Sequence, residues 1–250
     1  MKWVIAFDFD GVLVDPLDGV VIAATQTFNE LHNASHPFGF FREKFADSTH
    51  IIRTGKDVMP IMQLIAEGKD TARMKREELN TLKRKIGQKK VLELEGEYYK
   101  RKRMLQQQTK KWLQAMKEHK KAIRAFEQAR KKLETWILTT RDKESIQSFF
   151  KNKNLQLDAE KIIDKSISHD KREQFALLKK KTGVPFKRMI FFEDTIYNAA
   201  AVKELGVHVF LSTWGFSKKE QWKKAEKKNI KPIKQEGILP SIEQLTGVQF

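Results

Sequence analysis

The chain contains no cysteine. That excludes a disulfide framework, a thiol nucleophile and any zinc site built on Cys ligands. Proline is scarce, and none falls between Pro60 and Pro185, so a long central stretch is free to be helical. No apolar run approaches the roughly 18–20 residues of a membrane span. The first residues enter a strand-like run directly, without the charged and apolar regions of a signal peptide. These absences lead us to expect a cytoplasmic protein with no membrane segment. Negative charge is the minority sign: 49 Lys and Arg stand against 32 Asp and Glu, a net of +17. The excess is local. Residues 69–134 hold 22 basic and 9 acidic side chains, a net of +13, while the rest of the chain nets only +4. At 250 residues the chain is long enough for a sizeable core and one or two domains.

The most informative run present is Val4-Ile5-Ala6-Phe7-Asp8-Phe9-Asp10-Gly11-Val12-Leu13-Val14-Asp15. Its apolar first half reads as a buried parallel strand, which places Asp8 at the strand's carboxyl end. In an open α/β sheet that edge is where ligands bind. Residues two apart in an extended stretch point the same way, so Asp8 and Asp10 are expected to face one cleft. Two carboxylates this close repel unless a cation or a shared proton intervenes. Similar runs follow: Trp136–Thr140, ending in two hydroxyls; Lys161–Asp164; Met189–Asp194, ending in Glu193 and Asp194; and His208–Thr213. Helical stretches separate them at Lys143–Lys153, Lys171–Thr182 and Tyr197–Leu205, with Gly183 and Gly206 as stops. Strand and helix in alternation predict βαβ units on a parallel sheet. Three strand ends then carry reactive groups to one rim: Asp8 and Asp10, Thr139, and Glu193 with Asp194.

This set resembles the haloacid dehalogenase (HAD) superfamily of aspartate-nucleophile phosphohydrolases. Asp8 to Asp15 match its first motif, Thr139 the second, Lys171 the third, and Phe191-Phe192-Glu193-Asp194 with Asn198 the fourth. The stretch from Lys171 to Gly206 is similar to the magnesium-dependent phosphatase branch. Thr213-Trp214-Gly215-Phe216 is similar to the loop after the last strand in phosphoglycolate phosphatase-like members. The resemblance covers residues 1–17 and 133–250. It departs at Asn198, where many members carry a second Asp; an amide can still orient a metal-bound water, but the local negative charge is lower.

The resemblance implies an α/β fold: a Rossmann-like core, residues 1–17 and 133–250, with a large all-α cap inserted at 18–132. It implies Asp8 as nucleophile and Asp10 as proton donor and acceptor. Lys171 would pair with Asp8 and the phosphoryl oxygens, and Thr139 would bind another oxygen through its hydroxyl and backbone N–H. Mg²⁺, which prefers hard oxygen ligands, would be held by the Asp8 carboxylate, the Asp10 carbonyl and Asp194, with Glu193 alongside. The expected activity is hydrolysis of a small phosphorylated substrate; a phosphomutase would use the same core. Thr140, Arg141 and Asn198 are candidate substrate contacts in the core. Arg53 and Lys56, in the run Ile51–Lys56, are candidates in the cap. Each has an ordinary alternative: a strand end for Thr139, an exposed cation for Lys171, Arg141, Arg53 or Lys56, a helix cap for Glu193 and Asp194. His50 and His169 lack partners at ligand spacing and read as surface or core histidines.

Within the insert, Asp18–Leu31 and Thr54–Glu67 read as helices, with Ser48–Arg53 as a loop. No Pro or Gly interrupts Glu97–Glu134, where Tyr98, Leu105, Trp112, His119, Phe126 and Leu133 recur every seven residues. That spacing predicts one long helix packed on another, as a bundle or a hairpin of 69–90 against 97–134. Its basic surface suits anionic partners, nucleic acid among them. A solvated helix face is favoured instead, because the polar face has little aromatic interleaving and no nucleic-acid module is recognisable.

Overall fold

The computed structural model of the protein describes residues 2–107 and 115–250. They form two compact units, Met1–Asp15 with Lys117–Phe250, and Pro16–Met116. In the first unit the strands are β1 (Val4–Phe7), β2 (Val14–Asp15), β3 (Lys117–Glu118), β4 (Glu134–Leu138), β5 (Ile162–Ile163), β6 (Met189–Glu193), β7 (His208–Ser212) and β8 (Lys231–Ile233). Six of them make a sheet in the order β5-β4-β1-β6-β7-β8, and every neighbouring pair is parallel. β2 and β3 form a separate antiparallel pair.

The apolar runs are buried on both faces because helices cover both sides of a parallel sheet. β1 and β6 are buried at every position. Alternation sorts their side chains. Val4, Ala6, Met189 and Phe191 join one core with Phe175, Leu178 and Val202. On the opposite face Phe7 stacks on Phe192 at 4.8 Å between ring centroids, Phe192 on Phe210 at 5.5 Å, and Phe126 meets Phe7 edge-on. The chain leaves central β1 for β4 and β5 on one side, then crosses to β6 and β7 on the other. This is the reversal that opens a crevice at the carboxyl ends of the strands.

The second unit is helical: α1 (Leu17–His32), α2 (Phe38–Ser48), α3 (Val58–Ala66), α4 (Arg76–Ile86) and α5 (Gln88–Gln107). Its core gathers Val21, Phe28, Phe41, Phe45, Ile61, Ile65, Leu79 and Tyr98. Fully buried Asp57 anchors it. One oxygen lies 2.7 Å from Arg76, the other 2.6 Å from Lys83, and the backbone N–H groups of Arg53 and Thr54 donate to the same carboxylate. Burial alone would raise this carboxyl, but the hydrogen bonds and charges of Arg76 and Lys83 hold it below the usual range.

The remaining helices of the sheet unit are α6 (Lys120–Lys132), α7 (Lys143–Asn152), α8 (Lys171–Thr182), α9 (Ile196–Lys203), α10 (Lys219–Glu226) and α11 (Ile238–Thr246). The long helix expected over 97–134 does not form. α5 is described to Gln107, the chain is in β3 by Lys117, and α6 starts afresh at Lys120. The seven-residue period is nonetheless physical at its far end. Ala122, Ala125, Phe126 and Ala129 make one buried face of α6, but it packs in the sheet unit, where Phe126 meets Phe7. Periodicity shows that a helix has an apolar face and is silent about what covers it. Residues 117–132 therefore belong to the sheet unit, and the insert spans 16–116 where 18–132 was expected. The hairpin of 69–90 against 97–134 is replaced by the shorter pair α4 and α5. Trp112, one of the seven-residue positions, lies outside the described residues. Ser48–Arg53, expected as a loop, supplies the end of α2 and a 3₁₀ turn at Thr49–Ile51.

Candidate active site

The turn after β1 is built by its own backbone. The N–H groups of Leu13 and Val14 donate to the Phe9 carbonyl, and that of Gly11 to the Val14 carbonyl. The N–H of Asp8 continues the ladder to the Phe192 carbonyl at 2.9 Å, which brings Asp8 beside the end of β6. Gly11 has a φ of +77°, and a Cβ there would fall 1.9 Å from Asp194 Oδ2. Only glycine fits both the left-handed backbone and the close approach. Gly215 closes in from the loop after β7, where a Cβ would fall 2.5 Å from Asp194 Cβ. The next residue, Phe216, donates its N–H to Asp194 Oδ2 at 2.8 Å. Trp214 of the same loop donates its indole N–H to the Val12 carbonyl.

Asp8, Glu193 and Asp194 each offer an oxygen within 4.8 Å of the others, and all three are buried. Lys171, at the start of α8, reaches them from below. Its ammonium donates to Asp8 Oδ1 at 2.9 Å and to the Leu138 carbonyl, and lies 3.9 Å from Glu193 Oε2. Thr195 donates its N–H and hydroxyl to Glu193 Oε1, which leaves buried Oε2 with no hydrogen-bond donor. Burial pushes the Asp8 carboxyl up to about 7 against the pull of the Lys171 ammonium, and repulsion from Glu193 adds to the rise. Asp194 is pushed well above the usual range by burial and by the charges of Glu193 and Asp8. Three buried carboxylates around one ammonium form an excess of negative oxygen. A hard divalent cation is the species that such a donor set accommodates.

Asp10 is placed differently from its neighbour Asp8. Its carboxylate is gripped by Arg141, with Nε 3.0 and 2.9 Å from the two oxygens and an NH₂ nitrogen 2.8 Å from the first. Thr139 sits just beyond β4. Its backbone N–H, expected to bind a phosphoryl oxygen, instead donates to the Ile163 carbonyl at 3.0 Å and extends the β4–β5 ladder. Its hydroxyl oxygen accepts from the Arg141 N–H at 3.1 Å, so the hydroxyl proton is what it has to offer. Thr140 is exposed and Asn198 half-buried in the first turn of α9. Arg141 is neither exposed nor a surface ion pair; its side chain is 1% exposed. Arg53 and Lys56 are exposed in the helical unit and flank buried Asp57. His169 is exposed, and His50 joins the carbonyls of Asp47 and Met74, a tether within the helical unit.

The residue order along these strand ends has a counterpart among known proteins. The sequence pattern of the haloacid dehalogenase-like hydrolase family matches residues 4–206. The chain belongs to that family. No curated protein matches the sequence significantly. Solved structures of similar fold include a haloacid dehalogenase-like hydrolase from Streptococcus pneumoniae, 18% identical with a TM-score of 0.60, covering 96% of this chain and 98% of that one. A phosphoglycolate phosphatase-like protein from Lactobacillus delbrueckii subsp. bulgaricus is 13% identical with a TM-score of 0.67, over 99% and 100% of the two chains. A HAD family hydrolase from Deinococcus radiodurans R1, with bound phosphate and sodium, is 12% identical with a TM-score of 0.61, over 98% and 96%. As a HAD-like hydrolase the protein is an enzyme. Among its described residues no helix is long and apolar enough to cross a membrane.

Several working parts of the site escaped the motif reading. Thr195, outside every matched motif position, fixes Glu193 through its N–H and hydroxyl. Fully buried Gln174, three residues after Lys171, donates to the carbonyls of Thr139 and Ser168 and ties two strand-end loops together. Its spacing, one turn along a helix face from Lys171, was the available signal. Gly215 and Phe216 were matched as a loop, but their contact with Asp194 is visible only in three dimensions.

Proposed function

We propose that the protein is a Mg²⁺-dependent phosphomonoester hydrolase acting on a small phosphorylated metabolite through an aspartyl-phosphate on Asp8. The observation that carries this reading is the buried Asp8 carboxylate, held by Lys171 and joined within 4.8 Å by two further carboxylates. A dehalogenase needs no such cation-holding set, whereas a phosphoryl group must have its charge neutralised before an anion approaches it. The relative from Deinococcus radiodurans that carries bound phosphate and sodium is in keeping with this reading.

Asp8 Oδ attacks phosphorus as the bond from phosphorus to the substrate oxygen breaks. Asp10 passes its proton to that oxygen, and the alcohol leaves. Water then attacks the same phosphorus and gives a proton back to Asp10, the bond to Asp8 breaks, and inorganic phosphate departs. Lys171 orients Asp8 and faces the charge that gathers on the phosphoryl oxygens, and the Thr139 hydroxyl donates to one of them. Asp8, Asp194, the Asp10 carbonyl and Glu193 would hold Mg²⁺, which would supply charge neutralisation at the phosphoryl group. Thr140 and Asn198 are assigned to the substrate side of the core. The helical unit is assigned as the cap, with Arg53 and Lys56 as its substrate contacts. The test is a screen of phosphorylated metabolites with Mg²⁺, paired with acid-quench mass spectrometry of the intact chain. Release of inorganic phosphate with an added phosphoryl group on Asp8 is expected. Isomerised substrate without free phosphate would instead mean a mutase, and turnover with no mass increase would remove the covalent step.

A further inference from the structure

Asp10 is a poor general acid unless something holds it. It lies on a turn rather than in a strand, its side chain is 27% exposed, and an exposed carboxylate samples several rotamers. Arg141 removes that freedom. The guanidinium meets the carboxylate through Nε at 3.0 and 2.9 Å and through an NH₂ nitrogen at 2.8 Å. This fork geometry fixes the plane of the carboxylate as well as its distance. Arg141 is itself held: its guanidinium carbon lies 5.8 Å over the Phe9 ring, its N–H donates to the Thr139 hydroxyl oxygen, and Phe9 packs edge-on against Phe149 of α7. The side chain was a candidate substrate contact by its position after Thr139. In the structure its Nε and one of its two NH₂ nitrogens are turned to the acid, while the other lies buried without a hydrogen-bond acceptor.

We propose that Arg141 is the positioning residue for Asp10, aiming the acid's oxygen at the leaving group; this rests on the phosphohydrolase reading above. A carboxylate has about four acceptor sites, so the grip leaves an oxygen able to carry the transferred proton. In the step concerned, the Asp10 O–H proton moves to the departing oxygen as its bond to phosphorus breaks, and Asp10 becomes a carboxylate facing Arg141. A misplaced acid matters most when the leaving oxygen is strongly basic, and little when it leaves readily as a phenolate.

The experiment compares kcat/KM, which ends at phosphoryl transfer to Asp8, for p-nitrophenyl phosphate and for an alkyl phosphate such as glycerol 2-phosphate. Arg141→Met is expected to lower the value for the alkyl ester by roughly 10- to 100-fold, while the aryl ester stays within about threefold of wild type. Asp10→Asn should lower the alkyl ester more strongly still, with a smaller loss on the aryl ester, and combining the two should cost little beyond Asp10→Asn alone. Because Met at a buried Arg position can misfold the chain, Arg141→Lys serves beside it. Lys keeps the charge without the fork, so the same selective loss is expected at smaller size, and added guanidinium chloride should restore an Arg141→Ala chain on the alkyl ester. Equal losses on both esters in Arg141→Lys, with no guanidinium rescue, would make Arg141 a phosphate contact and overturn the proposal while sparing the hydrolase reading. A wild-type protein inert toward every phosphate ester would overturn that reading and the assignment with it.

Discussion

Replacing Lys171 by Met should destabilise the protein in a way that depends on pH, and the structure sets both the sign and the window. The Lys171 ammonium lies 2.9 Å from Asp8 and 3.9 Å from Glu193, with a side chain 1% exposed. Removing one partner of a buried ion pair costs about 3–5 kcal/mol when the other charge is stranded. Asp8 can escape that fate by taking a proton. With Lys171 present, burial already holds its carboxyl at about 7, against an ordinary value of 3.8. A rise of that size corresponds to about 4 kcal/mol. The folded protein thus binds more protons than the unfolded chain between about 4 and 7. The stability associated with Asp8 is fully present below the unfolded value and is lost as pH rises through the folded one. Without Lys171 the carboxyl rises further, and the loss continues above pH 7. Urea unfolding in the absence of divalent cations should therefore show a small cost for Lys171→Met near pH 5, growing to about 3–5 kcal/mol near pH 8.5. The urea m-value should not change. Added Mg²⁺ should recover part of the loss at alkaline pH and little at acid pH, because it competes with the same protons. A cost independent of pH would refute the claim that Asp8 is the charge Lys171 neutralises.

Other perturbations reach the site and the helical unit separately. Asp8→Asn should lower turnover by roughly 10⁴-fold or more with an unchanged far-UV spectrum; activity within tenfold of wild type would remove Asp8 as the nucleophile. EDTA should silence the enzyme and Mg²⁺ restore it, with Asp194→Ala insensitive to both; full activity in EDTA would sink the metal assignment. Gly11→Ala forces a side chain into the left-handed backbone and toward Asp194 Oδ2, so it should lose about 1–3 kcal/mol in thermal unfolding and weaken Mg²⁺ binding measured calorimetrically. Asp57→Ala strands Arg76 and Lys83 and should cost about 3 kcal/mol; because the Asp57 carboxyl is held low, its contribution is present at neutral pH and should fade only in strong acid. A melting temperature unmoved by Asp57→Ala would mean the helical unit does not rely on that buried charge.

Sequence alone determined five of the sheet's six strands and its reactive edge; the short edge strand β8, built on Lys231-Pro232-Ile233, presents no apolar run and was decided by the fold. The runs ending at Asp8, Thr139 and Glu193 are short and apolar at nearly every position, and helical stretches separate them, which reads as strands buried on both faces. Their alternation with helical stretches pointed to parallel order, which carries Asp8, Thr139, Glu193 and Asp194 to one rim; Lys171 joined them through the family resemblance. Local signals also placed α8 at Lys171–Thr182 without error, with Gly183 as its stop; the structure adds Asp170 as its cap. Tertiary structure decided what pattern cannot carry. An apolar stripe from Tyr98 to Leu133 reads the same whether a helix or a sheet covers it, and the fold broke it into α5 and α6 and laid Phe126 on Phe7. A basic residue after Thr139 reads as a substrate contact or a surface charge, and the fold turned Arg141 inward onto Asp10, 131 residues away in the chain. Glycines 11 and 215 have no meaning until Asp194 lies between them. Periodicity and motif order are properties of neighbours along the chain, so they are written in sequence. The partner of a buried charge or an apolar face is set by closure of the whole fold, where burial and unpaired-charge costs of several kcal/mol choose among local alternatives that differ by less.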